Sequence, residues 1–355
     1  MKADGVIYRG STLGFEVGIL SPMDRLPAPR FDHLRRMTGQ FGLWEHARYT
    51  TPRPEHGYCT DDNARGLIVI SRQPDASADL VDMARVYLAF LEDAALPLGG
   101  FHNRRNADGS WGDSIGSDDS QGRAIWGLGS ASHLGPERIR HTALELFEKQ
   151  EGFGSQSPRA NAFAVLGAAE VLTGAPDHLQ AKQALTRWAD LLAADDDPAW
   201  PWPEPRLAYD NARIPEALMA AGNALGDDDR VEEGVRLLEW LVSIETHDGH
   251  FSFTPAGGWA SGEPRPGFDQ QPVEAGAMAD ACSLAWSLTG EDRWKDRLLG
   301  AARWFFGAND RDTVLYDIQT GGCCDGLSPS GPNLNQGAES TLAALSTLQQ
   351  VRRLI

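Results

Sequence analysis

The residues best suited to do chemistry are carboxylates that recur beside arginines in short, similar strings: TDDNAR (60 to 65), SDDSQGR (117 to 123), YDNARIPE (209 to 216), FDQQPVE (268 to 274) and NQGAE (335 to 339). DNAR occurs twice, as Asp62 to Arg65 and as Asp210 to Arg213, and doubled aspartates stand at 61/62 and 118/119. Paired carboxylates suit acid–base work at a glycosidic bond. One protonated acid meets the leaving oxygen, while a second carboxylate activates water or attacks the anomeric carbon. Adjacent acids also push each other's pKa values apart, which keeps one protonated near neutral pH. The competing explanation is capping, because Thr60 and Ser117 are good N-caps and acids in a first helical turn favour the dipole. Capping alone requires neither the doubling nor an Arg one turn further on at 65, 123 and 213. A buried Arg needs an acidic partner or an anionic ligand, so structural ion-pair girdles at Arg65 and Arg213 stand beside a ligand-facing role.

Helical periodicity supplies the elements that position these residues. Segments 30 to 39, 77 to 94, 136 to 149, 178 to 194, 229 to 244 and 292 to 306 are amphipathic. Between them lie 62 to 72, 119 to 130, 159 to 172, 210 to 222, 272 to 288 and 336 to 349, rich in Ala and Gly and nearly free of charge after their first turns. A helix that is apolar all round is buried, so the second set forms an inner ring and the first an outer one. Six such pairs predict an all-α (α/α)6 toroid over residues 1 to 355, with 1 to 28 as an N-terminal extension packed on it. Connections leaving the inner helices are short, with Gly174, Gly226 and Gly290 as expected C-caps and Asp177, Asp227 and Asp292 as expected caps of the next helix. Connections entering them are long (roughly 95 to 118, 195 to 209, 245 to 271 and 307 to 335) and share one face, with short strands expected at 250 to 254 and near 5 to 19. Long loops inside a compact domain are usually functional, which places the site on that face. The first and fourth inner helices are opposite in the ring, so inward carboxylates on them would stand roughly 8 to 12 Å apart. That spacing overlaps the separation of about 6.5 to 9.5 Å that leaves room for an attacking water.

On this basis Asp62, Asp119 and Asp210 are the leading catalytic candidates, followed by Asp61, Asp118 and Glu339, with Glu274 also an acid near the substrate. Arg65, Arg123 and Asn211 are expected to orient a sugar or the carboxylates, and Tyr58, Trp111, Trp202 and Trp259 to offer flat faces to it. Composition agrees with a large folded core: 41% of the 355 residues are apolar and 23% charged. A net charge of -18 repels nucleic acid, and no apolar run approaches the roughly 18 residues of a membrane span. The N-terminal stretch has no apolar signal-peptide core, which gives a cytoplasmic expectation. Cys59, Cys282, Cys323 and Cys324 match neither a zinc site nor a disulfide framework. No metal is expected from the nine His residues, which form no HExxH pair. No P-loop or dinucleotide fingerprint is present, so no cofactor is expected.

The strings HGYCTDDNAR (56 to 65), DDSQGRAIWGLG (118 to 129), YDNARIPEAL (209 to 218) and CDGL with NLNQGAEST (324 to 341) resemble a bacterial family often encoded beside, or fused to, glycosyltransferases and mannoside-processing enzymes. The resemblance implies a toroid working on carbohydrate, with a mannoside as one substrate class and a glycosyltransferase as a functional partner. The doubled aspartates are more distantly similar to the α-mannanases of glycoside hydrolase family 76. That likeness implies Asp61/Asp62 or Asp118/Asp119 as the acid–base pair. A non-catalytic glycan-binding partner of a glycosyltransferase would need the aromatic loops but not the acids. NADGSWGD (106 to 113) is similar to a motif of terpene-cyclase toroids, whose DxDD acid is absent here. Sugar 2-epimerases share the toroid but use inner-helix histidines, which the six expected inner helices lack.

Overall fold

The computed structural model describes residues 26–195 and 197–354; the strand expected near 5 to 19 and nearly all of the expected N-terminal extension lie outside them. Among the described residues, helices alternate along the chain between an outer and an inner position. They are α1 (Asp32–Met37, outer), α2 (Thr60–Ser71, inner), α3 (Ala78–Ala94, outer), α4 (Asp118–Leu134, inner), α5 (Glu137–Glu148, outer) and α6 (Pro158–Gly174, inner). The second half repeats the order: α7 (Leu179–Ala189), α8 (Arg213–Leu225), α9 (Asp228–Glu245), α10 (Pro272–Thr289), α11 (Asp292–Trp304) and α12 (Ala338–Arg352). Each inner helix packs on the next and α12 returns to α2, which closes the ring. Helices α3, α5, α7, α9 and α11 each cover the inner helix before them, and α1 lies on α12. This is the (α/α)6 toroid that the alternating segments predict.

Burial explains the division. Every residue of α10 from Pro272 to Ser283 is buried, so over that stretch the helix has no solvent face. Outer α5, by contrast, buries only Ile139, Ala143, Leu146 and Phe147, which form a single stripe. Small residues bring inner backbones together: a Cβ on Gly129 of α4 would collide with the Gly167 carbonyl of α6, and one on Gly167 would lie 2.5 Å from the Ile125 carbonyl oxygen. Gly167→Ala is expected to lower stability by about 1–3 kcal/mol through overpacking, read as a lower denaturation midpoint. An unchanged midpoint would show that the two helices can part at no cost.

The connections are as asymmetric as expected. Helix α8 passes to α9 through Gly226, in the left-handed conformation at φ 70°, and Asp227, whose carboxylate accepts from the Arg230 amide at 3.1 Å. Gly290 ends α10 in the same way. Gly174, however, is still helical and Ala175 follows as C-cap. His178 rather than Asp177 caps α7, and Glu291 rather than Asp292 precedes α11. The long outer-to-inner connections carry all the short strands among the described residues. Two pairings stitch neighbouring connections together: β3 (Tyr58–Cys59) with β4 (Arg104–Arg105), and β5 (Arg206–Leu207) with β8 (Trp259–Ala260). The strand expected from 250 onward is confined to His250–Phe251 and pairs with Thr246–His247. No helix among the described residues is long and apolar enough to cross a membrane.

Candidate active site

Helix α2 starts where β3 ends, and its first turn is clamped from outside. Thr60 is not the N-cap; its hydroxyl instead donates to the His102 carbonyl at 2.6 Å and its amide to Asn103, while Cys59 holds the cap position. The clamp turns Asp61 and Asp62 toward the ring axis. There the inner-helix starts enclose a cavity of about 480 Å³, within the range of small-ligand sites. Six carboxylates line it (Glu45, Asp61, Asp62, Asp119, Asp325, Glu339), against three guanidiniums (Arg65, Arg104, Arg123).

Asp62 is almost wholly buried. Its carboxylate accepts from the Cys59 thiol at 3.2 Å and from Arg65 Nη1 at 3.0 Å, and Arg65 Nη2 reaches Glu339 at 2.7 Å. Burial pushes Asp62 up to about 7; Arg65 opposes the shift and the Glu339 and Glu45 carboxylates reinforce it. A carboxyl raised this far can hold a proton near neutral pH, as general acid catalysis needs. Arg123 ties the other acids together. Its Nη1 lies 3.2 Å from Asp61 and 3.6 Å from Asp119, and its Nη2 lies 2.9 Å from Asp210. The Tyr209 hydroxyl donates to Asp119, and the Tyr209 ring rests on the Arg159 guanidinium 4.6 Å from its centroid.

Below this layer, the second DNAR repeat reproduces the Arg–Asp pair of the first. Arg213 Nε meets Asp210 at 3.2 Å as Arg65 meets Asp62, and Asn211 ties down its preceding loop as Asn63 does. Asp210 itself has φ 51°, a left-handed conformation that Asp tolerates better than most residues. Glu274 fixes this turn by accepting from the Asp210 amide, from the Asn211 amide at 3.1 Å and from the Asn211 side chain at 3.2 Å. Burial opposes ionisation of Asp210, but Arg213, Arg123 and Arg65 together hold it below the usual carboxylate range. Burial also pushes Glu274 well above that range, with Glu245 and Asp210 adding to it.

Of the residues singled out in the sequence, Asp61, Asp62, Arg65, Asp119, Arg123 and Glu339 meet at the cavity. Others do not reach it. Asp118 is exposed and its carboxylate accepts from the Ser155 hydroxyl at 2.5 Å, which turns it to the loop before α6. Asp210, Asn211 and Glu274 lie beneath the cavity as buried supports. The water-sized gap expected between opposed carboxylates is filled by the Arg123 guanidinium. Tyr58 and Trp202 are core residues: Tyr58 stacks on Trp44 at 3.9 Å between centroids, and Trp202 on Trp240 at 6.0 Å. Trp111 packs on His102 at 4.8 Å, and Trp259 edge-on against Trp200 at 5.5 Å, so the aromatic rim expected of these four is spent on packing the loops.

Sequence reasoning did not assign Glu45, His46, Asp325 or Tyr209 to the site. Asp325 and Tyr209 sit in the quoted CDGL and YDNARIPE strings, which was their only signal. Glu45 and His46 had none; a backbone bond from the Ala338 amide to the Glu45 carbonyl at 3.1 Å brings their loop to the start of α12. Helix α4 also runs past its expected end to include His133, but that residue pairs with Glu170 in the last turn, away from the helix starts that form the cavity. Tyr209→Phe should lower turnover about tenfold with little change in KM if the hydroxyl orients Asp119 for the reaction. An unchanged kcat would make Tyr209 a packing residue only.

No protein-family model and no curated protein matches the sequence. Solved structures do. A sugar epimerase from a ruminal bacterium superposes with a TM-score of 0.73 at 13% identity, covering 94% of this chain and 98% of that one. The chain has its fold. Cellobiose 2-epimerase from Spirochaeta thermophila gives a TM-score of 0.67 at 13% identity over 92% and 94% of the two chains. A GH76 α-mannanase from Bacteroides thetaiotaomicron gives 0.65 at 11% identity over 91% and 94%. Toroids with sugar-epimerising and glycosidase names thus share this architecture.

Proposed function

We propose that this protein is a carbohydrate-active enzyme that cleaves, or transfers from, a glycosidic bond of an oligosaccharide, with mannosides the first class to try. The single observation that carries the reading is Asp62, a buried acid held near neutrality at a cavity lined by five further carboxylates. In this reading Asp62 protonates the leaving oxygen. Asp119, oriented by Tyr209, activates the water or acceptor hydroxyl from the neighbouring helix. Arg65 pairs with Asp62 and Glu339, and Arg123 with Asp61, Asp119 and Asp210, so the guanidiniums compensate the negative charge gathered around the proton on Asp62. The folds of known sugar enzymes support the substrate class but not the reaction. A functional tie to a glycosyltransferase rests on the sequence resemblance alone.

A second reading has one observation in its favour: His46 faces the cavity beside Glu45, and an imidazole there could carry a proton to and from the carbon next to a sugar carbonyl. Turnover in deuterated water separates the two. Glycosidic cleavage gives new anomeric signals in the proton NMR spectrum with no deuterium on ring carbons. Epimerisation places deuterium at C2 and aldose–ketose isomerisation at C1 or C2, and either result would replace the glycosidase reading.

A further inference from the structure

The candidate cavity shares Asn333 with a second, larger cleft of about 1090 Å³, which is lined by Arg48, Tyr49 and Arg53 from one loop and by Asn333, Leu334 and Asn335 from another. The first wall belongs to the hairpin of β1 (Ala47–Arg48) and β2 (Thr51–Pro52). The second follows the hairpin of β9 (Gly326–Ser328) and β10 (Gly331–Asn333). Tyr49 stands at the turn of the first hairpin, more than half exposed and with φ 54°. A bulky residue rarely accepts that conformation, and such strain persists only where the surroundings impose it. Here they do: the Tyr49 amide donates to Asn335 Oδ1 at 3.0 Å, and its carbonyl accepts from the Gln336 amide at 2.9 Å. The two walls are thereby fixed to each other, and Tyr49 lines the cleft as an exposed aromatic residue that belongs to no aromatic pair among the described residues. Side-chain amides, a hydroxyl at Thr51 and the Arg48 guanidinium supply donors and acceptors around it. That combination of one flat apolar face with dispersed hydrogen-bonding groups fits a sugar ring.

We propose that this outer cleft is an extended subsite for the sugar units beyond the bond acted on in the cavity, with Tyr49 as its stacking platform. The proposal rests on the oligosaccharide reading above and adds chain-length dependence to it: substrates of three or more units gain affinity that two-unit substrates lack.

Tyr49→Gly is the informative variant, because glycine adopts φ 54° freely and the fold should keep or raise its thermal midpoint. Binding is read by calorimetry on the Asp62→Asn background, with one- to five-unit ladders of mannose, glucose and N-acetylglucosamine oligosaccharides. The expected result is a gain in affinity from two to four units that falls about tenfold in Tyr49→Gly and is retained in Tyr49→Phe. A ladder that binds with no gain beyond two units, or whose gain survives Tyr49→Gly, would overturn the subsite and leave the cavity reading standing. Failure of every ladder to bind would overturn both.

Discussion

Asp62→Asn is expected to lower kcat by about 10²–10⁴, the usual contribution of a positioned general acid, with the protein still folded. The substitution is isosteric, and burial already pushes the group it replaces toward its neutral form, so the pocket between Cys59 and Arg65 accommodates it. The same ionisation sets the alkaline limb of the rate profile. Activity should fall as pH rises through about 7, because the carboxylate can no longer donate. Stability follows the same proton. The folded-state value lies above the ordinary 3.8, so the native state binds the proton more tightly than the unfolded chain. Asp62 thus contributes stability at acidic pH that is lost as pH rises from about 4 through about 7. In Asp62→Asn that component of the pH dependence should vanish, which a denaturation series against pH would reveal. A variant with wild-type kcat and an unchanged alkaline limb would assign the acid elsewhere.

Arg213→Met should have the largest effect on stability. Its guanidinium meets Asp210 at 3.2 Å, Glu216 at 2.7 Å and Asp280 at 2.7 Å, and it lies 4.6 Å from the Trp126 ring centroid. Asp280 keeps Arg72 at 3.0 Å, but Glu216 has no second ion-pair partner among the described residues. Removing one side of a buried network costs about 3–5 kcal/mol because the charges left behind are uncompensated. The loss should be worst at alkaline pH. Burial opposes ionisation of Asp280, yet Arg72 and Arg213 hold it far below the usual range, so in the wild type its contribution is present above about 4 and is lost only in strong acid. Without Arg213 the carboxyls of Asp280 and Glu216 move up, and the variant should regain stability as pH falls and they protonate. Adding Asp280→Asn should restore part of the loss. A chemical-denaturation midpoint unchanged from wild type would show that water reaches these groups.

Much of this was legible in the sequence because it depends on local periodicity. An inner helix such as α10 shows no polar stripe, an outer one such as α5 does, and the alternation fixes the ring. The face carrying the site was legible from loop length alone, and the DNAR repeats marked two inner-helix starts. What was hidden depends on contacts between distant loops. Nothing in residues 45 and 46 indicates that a backbone bond to Ala338 will bring them to the cavity. The aromatics are placed by a similar effect: Tyr58, Trp111, Trp202 and Trp259 stand in the expected loops, and their rings pack those loops on the barrel of helices. Among the acids, spacing could not separate Asp61 and Asp62, which face the cavity, from Asp210, which the arginine girdle claims. Contacts across the ring from Arg123 and Glu274 make that distinction, and such contacts have no sequence signature.

The central claim is that a neutral Asp62 at the head of α2 drives glycosidic chemistry in the cavity. Its most direct test is a proton NMR time course of wild-type protein and Asp62→Asn with oligosaccharides, mannosides first, at pH about 6. In deuterated water, new anomeric signals with no deuterium on ring carbons are expected from the wild type and not from the variant. Equal product from both proteins, or no product from the wild type with any glycan, would contradict it.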